Sequence, residues 1–250
     1  MSTQGNLTPA GRSSFYDPSL SSDFQSNMWK TAPLLEWMHD PSIGVFLNED
    51  FTSYDATATT GDYLLTQSAT GAAAISTAAS GVLEVDSNST TVVQGANLQR
   101  IKAAFVPAAG KHIWFETSIK VVDTFDKAEL FVGLSERDTT LIATSANSSA
   151  NHIGWQCVTD DGVLLFTSEK AGAGDTGAAA TIAEATYIKL GFYVDGITSV
   201  TQYINGVESG TAKATANVPI VAVYPSFVCQ SGGTNDPILH VAGYRVFQLR

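Results

Sequence analysis

Tyr187-Ile-Lys-Leu-Gly-Phe-Tyr-Val-Asp-Gly-Ile-Thr-Ser-Val-Thr-Gln-Tyr-Ile-Asn-Gly206 decides the fold class. Ile188, Leu190, Phe192 and Val194 alternate with Tyr187, Lys189, Gly191 and Tyr193, the two-residue period of a strand with one buried face. Asp195-Gly196 and Asn205-Gly206 then reverse the chain, because both dipeptides take positive φ at little cost. The stretch predicts consecutive antiparallel hairpins.

The same alternation continues on both sides. Strands are expected at Ile43–Leu47, Asp62–Thr66, Val82–Val85 and Leu98–Phe105. Ile113, Phe115, Thr117, Ile119 and Val121 form an inward row, with Trp114, Glu116, Ser118 and Lys120 on the opposite face. Leu130, Val132 and Leu134 follow, then Ile153, Trp155 and Cys157. Asp160-Asp161-Gly162 turns that strand into Val163–Thr167. Pro219–Cys229 and Ile238–Leu249 close the domain, and the apolar phase of the last strand shifts near Gly243, which predicts a bulge. The Ala/Gly/Thr/Ser-rich stretches Ala56–Gly61, Ala69–Gly81 and Ala171–Ala185 read as loops. More than ten strands suit two packed layers better than one open sheet. The expected fold is all-β: a two-sheet antiparallel jelly-roll sandwich over residues 43–250, with an extended N-terminal arm.

That arm, residues 1–42, holds Pro9, Pro18, Pro33 and Pro41 among Ser and spaced aromatics. It is too short of apolar residues to build a core and too rich in them for an ordinary disordered tail. Ser21–Lys30 and Pro33–His39 are each expected as short helices, with Pro33 in the first turn of the second. Two readings stand: the arm packs on its own domain, or it grips a neighbouring subunit through Phe15, Tyr16, Phe24, Trp29, Leu34, Leu35 and Trp37.

Composition narrows the functions. The net charge is −11, with 13 Lys and Arg in 250 residues and no basic cluster, which argues against nucleic acid as a partner. No apolar run reaches the roughly 20 residues of a membrane span. The N-terminus lacks the basic start and apolar run of a secretory signal, so assembly in a cytoplasm is expected. Cys157 and Cys229 sit inside apparent strands, where a thiol acts as a small hydrophobe.

Several segments, in order, resemble the concanavalin A-like lectin/glucanase jelly roll, including its laminin G-like modules. They are Trp114-Phe-Glu-Thr-Ser-Ile-Lys-Val121, Leu130-Phe-Val-Gly-Leu-Ser135, Ile153-Gly-Trp155 with Asp161-Gly-Val-Leu-Leu-Phe166, Leu190-Gly-Phe-Tyr-Val-Asp-Gly196, Tyr203-Ile-Asn-Gly-Val207 and Leu239-His-Val-Ala-Gly-Tyr-Arg-Val-Phe247. The match spans about residues 43–250. A polar arm on a Ser/Thr/Ala/Gly-rich sandwich is also similar in style to structural proteins of tailed-phage virions, such as capsid decoration (cement) proteins and fibre modules.

Chemistry is sparse. Glycoside hydrolysis needs two carboxyls about 5–10 Å apart, and the glucanases of the resembled fold present Glu-x-Asp-x-(x)-Glu on one strand. Glu116-Thr-Ser-Ile-Lys120 offers one carboxylate, so Glu116 is expected on a solvated outer face. His39, His112, His152 and His240 lack the spacing of a zinc site. No Gly-x-Ser-x-Gly elbow is present. Asp160-Asp161-Gly162 and Gly172–Gly177 offer oxygens to calcium, but ordinary turns use the same residues. The expectation is no metal, no cofactor and no catalysis. Trp155 is expected in the core. Trp114 lies on the outward phase beside Glu116, marking either a ligand groove or a surface covered by the arm or another subunit.

The leading expectation is a non-enzymatic virion structural protein: a capsid decoration (cement) protein on the capsid exterior. It would be a homo-oligomer (dimer or trimer) bridging subunits of the major capsid protein. The alternative is a carbohydrate- or receptor-binding module of a phage head or tail fibre, with Trp114 and the loop aromatic Tyr63 as candidate sugar contacts.

Overall fold

Turn chemistry and strand alternation build a meander of hairpins. The computed structural model describes residues 27–250 apart from 57–60, 69, 78–80, 124, 144, 145, 149 and 160. The first strands are β1 Gly44–Glu49, β2 Tyr63–Gln67, β3 Ala72–Ile75, β4 Leu83–Asp86, β5 Gly95–Arg100 and β6 Ile113–Val122. Next come β7 Ala128–Ser135, β8 Ile142–Ala143, β9 Ala146–Asn147, β10 His152–Cys157, β11 Val163–Lys170 and β12 Ala173–Thr181. The last are β13 Ile188–Asp195, β14 Ser199–Ile204, β15 Val207–Ala214, β16 Tyr224–Ser231 and β17 Ile238–Leu249.

One sheet runs β15-β14-β13-β6-β17-β4-β3, with β1 also on β17; the other runs β12-β11-β10-β7-β16-β5-β2. Every named pair is antiparallel, so the architecture is a two-sheet sandwich. The deciding stretch forms β13, β14 and the turn into β15. Asn205 and Gly206 both take positive φ (50° and 77°) in the two-residue connection, the primed turn that matches strand twist.

Alternation places the core. Ile113, Phe115, Ile119 and Val121 of β6 face Leu130, Val132 and Leu134 of β7 and Ile153, Trp155 and Cys157 of β10 across one continuous buried cluster. Phe115 stacks on Phe192 at 4.9 Å between ring centroids, and Trp155 meets Phe166 edge-on at 5.3 Å. The bulge predicted near Gly243 is present as a register shift between Val241 and Tyr244. It has a topological use. On one side β17 follows β6 along its length; on the other it pairs with β4 before the bulge and with β1 after it. The inward phase accordingly switches from Leu239 and Val241 to Tyr244 and Val246.

Two loop expectations are corrected. Ala72–Ile75, within the Ala69–Gly81 stretch, pairs with β4, and Ala173–Thr181, within Ala171–Ala185, pairs with β11. Both are sheet-edge strands, where one neighbour supplies the ladder and small residues suffice, so composition hid them. Residues 57–60 of the Ala56–Gly61 stretch and Asp160 of the predicted turn lie outside the described residues. Asp161 shapes the entry into β11: its carboxylate accepts from the Val163 amide at 2.9 Å, and Gly162 has φ 69°. Cys157 and Cys229 are buried and free, and burial raises both thiol pKa values.

Candidate functional site

The described part of the N-terminal segment is a strap on the outer face of the eight-stranded sheet. Asn27–Thr31 makes a 3-10 turn, Leu34–His39 the short helix α1, and Pro41–Ile43 a second 3-10 turn closed by the Ser42 amide donating to Asp40. Under it runs a cross-strand row of Tyr193, Trp114, Phe247 and Phe46. Met28 and Ala32 are buried on this row, and Trp29, Leu34 and Trp37 pack around them; Leu35 is partly exposed and lies outside the cluster. Trp114 Nε1 donates to Thr31 Oγ1 at 3.1 Å, and Trp37 Nε1 donates to the Gly44 carbonyl at 3.2 Å. Phe15, Tyr16 and Phe24 lie outside the described residues.

Of the two readings of the outward Trp114, cover by the arm is the one observed, while Tyr63 as a sugar contact is corrected. Trp114 is on the outer face but only 1% exposed, because the strap of its own chain covers it. Tyr63 is buried too: its hydroxyl meets Tyr244 at 2.9 Å and donates to Glu49 at 3.1 Å, and desolvation pushes the Tyr244 phenol up to about 12. Neither ring is a stacking platform. Glu116 is corrected as well. It is 4% exposed and ion-paired with Arg245, its cross-strand neighbour, rather than solvated. Sequence spacing missed that Glu49 and Asp50, at the end of β1, line the same cleft as Glu116. Both Glu49 oxygens are engaged, Oε1 by the Phe51 amide and Oε2 by Tyr63 and Arg100. Among the described residues no cluster of three or more His, Cys, Asp or Glu has the geometry to hold a metal ion.

A different cleft, of about 240 Å³, opens on the seven-stranded sheet. Its floor comes from β2, β5 and β16 through Thr66, Gln67, Asn97 and Gln230; Thr139, Thr140, Ile142 and Ala143 of the segment between β7 and β10 form the opposite wall. Amides on β5 hold that wall. Gln99 Nε2 donates to the Glu136 carbonyl at 2.9 Å while its Oε1 accepts from the Asp138 amide at 3.1 Å; Asn97 Nδ2 donates to the Asp138 carbonyl at 2.7 Å. Asp138 then accepts from the Thr140 amide and the Ser148 hydroxyl. Leu141, Ile142 and Ala150 seal the wall onto Phe131 and Val228. Gly95 lets β5 approach β16 closely, since a Cβ there would sit 2.1 Å from the Cys229 carbonyl.

The lining of this cleft carries no formal charge: it is hydroxyls, amides and small apolar groups. Asn97 is 4% exposed and its Oδ1 has no hydrogen-bond partner; Gln230 Oε1 is likewise buried and unpartnered. A buried acceptor left unmade costs about 1–3 kcal/mol. No spacing along the chain marks these two residues. Their position on the outer phase of two neighbouring strands was the available signal.

No protein-family model and no curated protein matches this chain. Solved structures do. Peanut lectin bound to a nine-residue peptide superposes with TM-score 0.53 at 12% identity, covering 83% of this chain and 98% of that one. Basic winged bean lectin with Tn-antigen gives 0.55 at 11%, covering 82% and 99%. A protein of unknown function, SO2946 from Shewanella oneidensis MR-1, gives 0.55 at 15%, covering 94% and 96%. These likenesses establish the fold: a legume-lectin-like, concanavalin A-like jelly roll.

Proposed function

We propose that this chain is a non-catalytic carbohydrate-binding module, holding a neutral glycan in the cleft between β2, β5, β16 and the 136–143 wall. The observation that carries the reading is the pair of buried, unpartnered acceptors, Asn97 Oδ1 and Gln230 Oε1, in an uncharged cleft. A neutral sugar brings many hydroxyl donors and no charge to desolvate, which suits such a lining. Val93 and Ala143 add apolar surface for the C–H faces of a ring. The winged bean lectin of similar fold was solved with Tn-antigen, a likeness of fold that makes glycan ligands the first class to test.

The capsid-cement expectation leaned on arm aromatics as anchors for another protein. Trp29, Leu34 and Trp37 are committed to the chain's own sheet, which favours a glycan over a capsid subunit as partner.

A broad glycan array followed by calorimetry on the best neutral hit tests it. Saturable binding is expected, weakened at least tenfold by Gln230→Ala and by Thr140→Val, neither of which removes a bond that holds the wall. An array without hits, or a hit on which both variants bind like the parent, refutes the assignment.

A further inference from the structure

The cleft beside Glu116 lies on the opposite sheet, and its construction differs. Its volume is about 270 Å³. The floor is the ion pair of Glu116 and Arg245 on neighbouring strands β6 and β17. Lys189 of β13 stands on one wall, and Asn48 and Asp50 at the end of β1 on the other. Burying Glu116 on a sheet's outer face costs desolvation that an apolar pair would avoid, so the pair is not explained by stability alone.

Three features hold Arg245 in place. The β17 bulge immediately precedes it, with Gly243 at φ 116°; a Cβ there would lie 2.8 Å from the Glu49 carbonyl, and the Gly243 carbonyl accepts from Thr117 Oγ1 at 2.9 Å. Trp29 of the strap covers the guanidinium, 5.1 Å from ring centroid to Cζ. Glu116 engages Nη2 alone, while the Arg245 side chain remains 43% exposed. A guanidinium has five N–H donors in a fixed fork, so an oriented edge is left for a second acceptor.

Glu49, Asp50 and Glu116 balance Lys189, Arg245 and the neighbouring Arg100, but the charges are segregated across the cleft. Glu116 is matched by Arg245 and Glu49 by Arg100. Lys189 has no ion-pair partner among the described residues. Asp50 lies on the far wall, three strand spacings or about 14 Å from the β13 axis, at an exposed position. Lys189 and Arg245 both line this cleft, on a chain of net charge −11 with 13 Lys and Arg.

We infer that this cleft is a second binding site, for a carboxylate-bearing sugar of the uronic or sialic acid class. The ligand carboxylate lies between Lys189 and the open edge of Arg245. Its hydroxyls reach Ser118, Asn48 and Asp50, which supply the alternating donors and acceptors a polyol needs. The site stands independently of the neutral cleft, with which it shares no residue.

Calorimetry at low ionic strength with D-glucuronate and N-acetylneuraminate, against D-glucose and D-glucuronamide, tests it. At least one acid is expected to bind and to weaken as salt rises, with the uncharged analogues at least tenfold weaker. Lys189→Gln should cost at least tenfold, while Gln230→Ala leaves acid binding unchanged. Failure of both acids to bind at millimolar concentration, equal binding of glucuronamide, or an unaffected Lys189→Gln variant overturns the inference. Because Gln230→Ala reports only on the neutral cleft, the two sites fail separately.

Discussion

Met28→Ala should release the strap without unfolding the sandwich. Met28 is buried against Trp114 and Phe247, and its Cε lies 3.3 Å from where a Cβ on Gly191 would stand, so truncation leaves a cavity between strap and sheet. Truncating a buried Met costs about 2–5 kcal/mol. The lower part of that range applies because the strap is peripheral and can settle. A loss of about 2–3 kcal/mol raises the strap-open population roughly 30- to 150-fold. The cost falls on local opening because, among the described residues, side chains rather than a backbone ladder bind the strap to the sheet, and Met38–Ser42 form an exposed linker. Hydrogen exchange reads this directly. The Trp37 and Asp40 amides, bonded to Pro33 and Glu36 carbonyls at 3.0 and 2.8 Å, should exchange faster by that factor, while amides of β6 and β13 keep their protection. Faster tryptic cleavage after Lys30 should accompany it. If the strap amides keep the parent rate while the whole domain loses stability, the strap is not a separable unit and the reasoning fails.

Two further tests address the sandwich itself. His152 is fully buried, and burial pulls its pKa from 6.5 down to about 4. Protons therefore favour the unfolded chain below pH 6.5: the contribution is fully present above that pH and is lost on acidification towards about 4, on the order of 3 kcal/mol in all. The hydrogen bond to the Ala150 carbonyl and the charge of the Asp138 carboxylate oppose this shift without cancelling it. An NMR titration placing His152 at or above 6.5 would mean that these two outweigh burial. Gly133→Ala should lower stability by about 3 kcal/mol or more, because its Cβ would fall 2.3 Å from the Ile153 carbonyl, backbone that cannot step aside. Gly174→Ala, whose new Cβ would meet only the movable Glu169 carboxylate at 3.1 Å, should cost under about 1 kcal/mol. Thermal melts that rank the two equally would contradict the packing described.

Legibility followed the pleat. Where a strand was flanked by a buried layer, as in β6, β10 and β13, alternation alone identified the residues that face the core. The phase shift at Gly243 was readable for the same reason, since Leu239 and Val241 share a parity that Tyr244 and Val246 do not. The edge strands β3 and β12 were not, because Ala, Gly and Thr at a sheet margin produce no hydrophobic contrast.

The outer faces show where such reading stops. A period of two separates one side of a sheet from the other, but it carries no information about what lies beyond the far side. Trp114 and Glu116 were correctly assigned outward, yet both are buried, one beneath the strap and the other beneath Arg245. The strap is more than seventy residues earlier in the chain and Arg245 more than a hundred later, so no local spacing could signal either contact. The same limit hid both clefts: Asn97 and Gln230 come to one cleft only through the β5–β16 pairing, and Lys189 and Arg245 to the other only across β6. On a sandwich, then, the core is written along each strand, while a binding site is written across strands. Cross-strand neighbours of outward polar residues are the positions at which a sequence of this fold is least informative and a structure adds most.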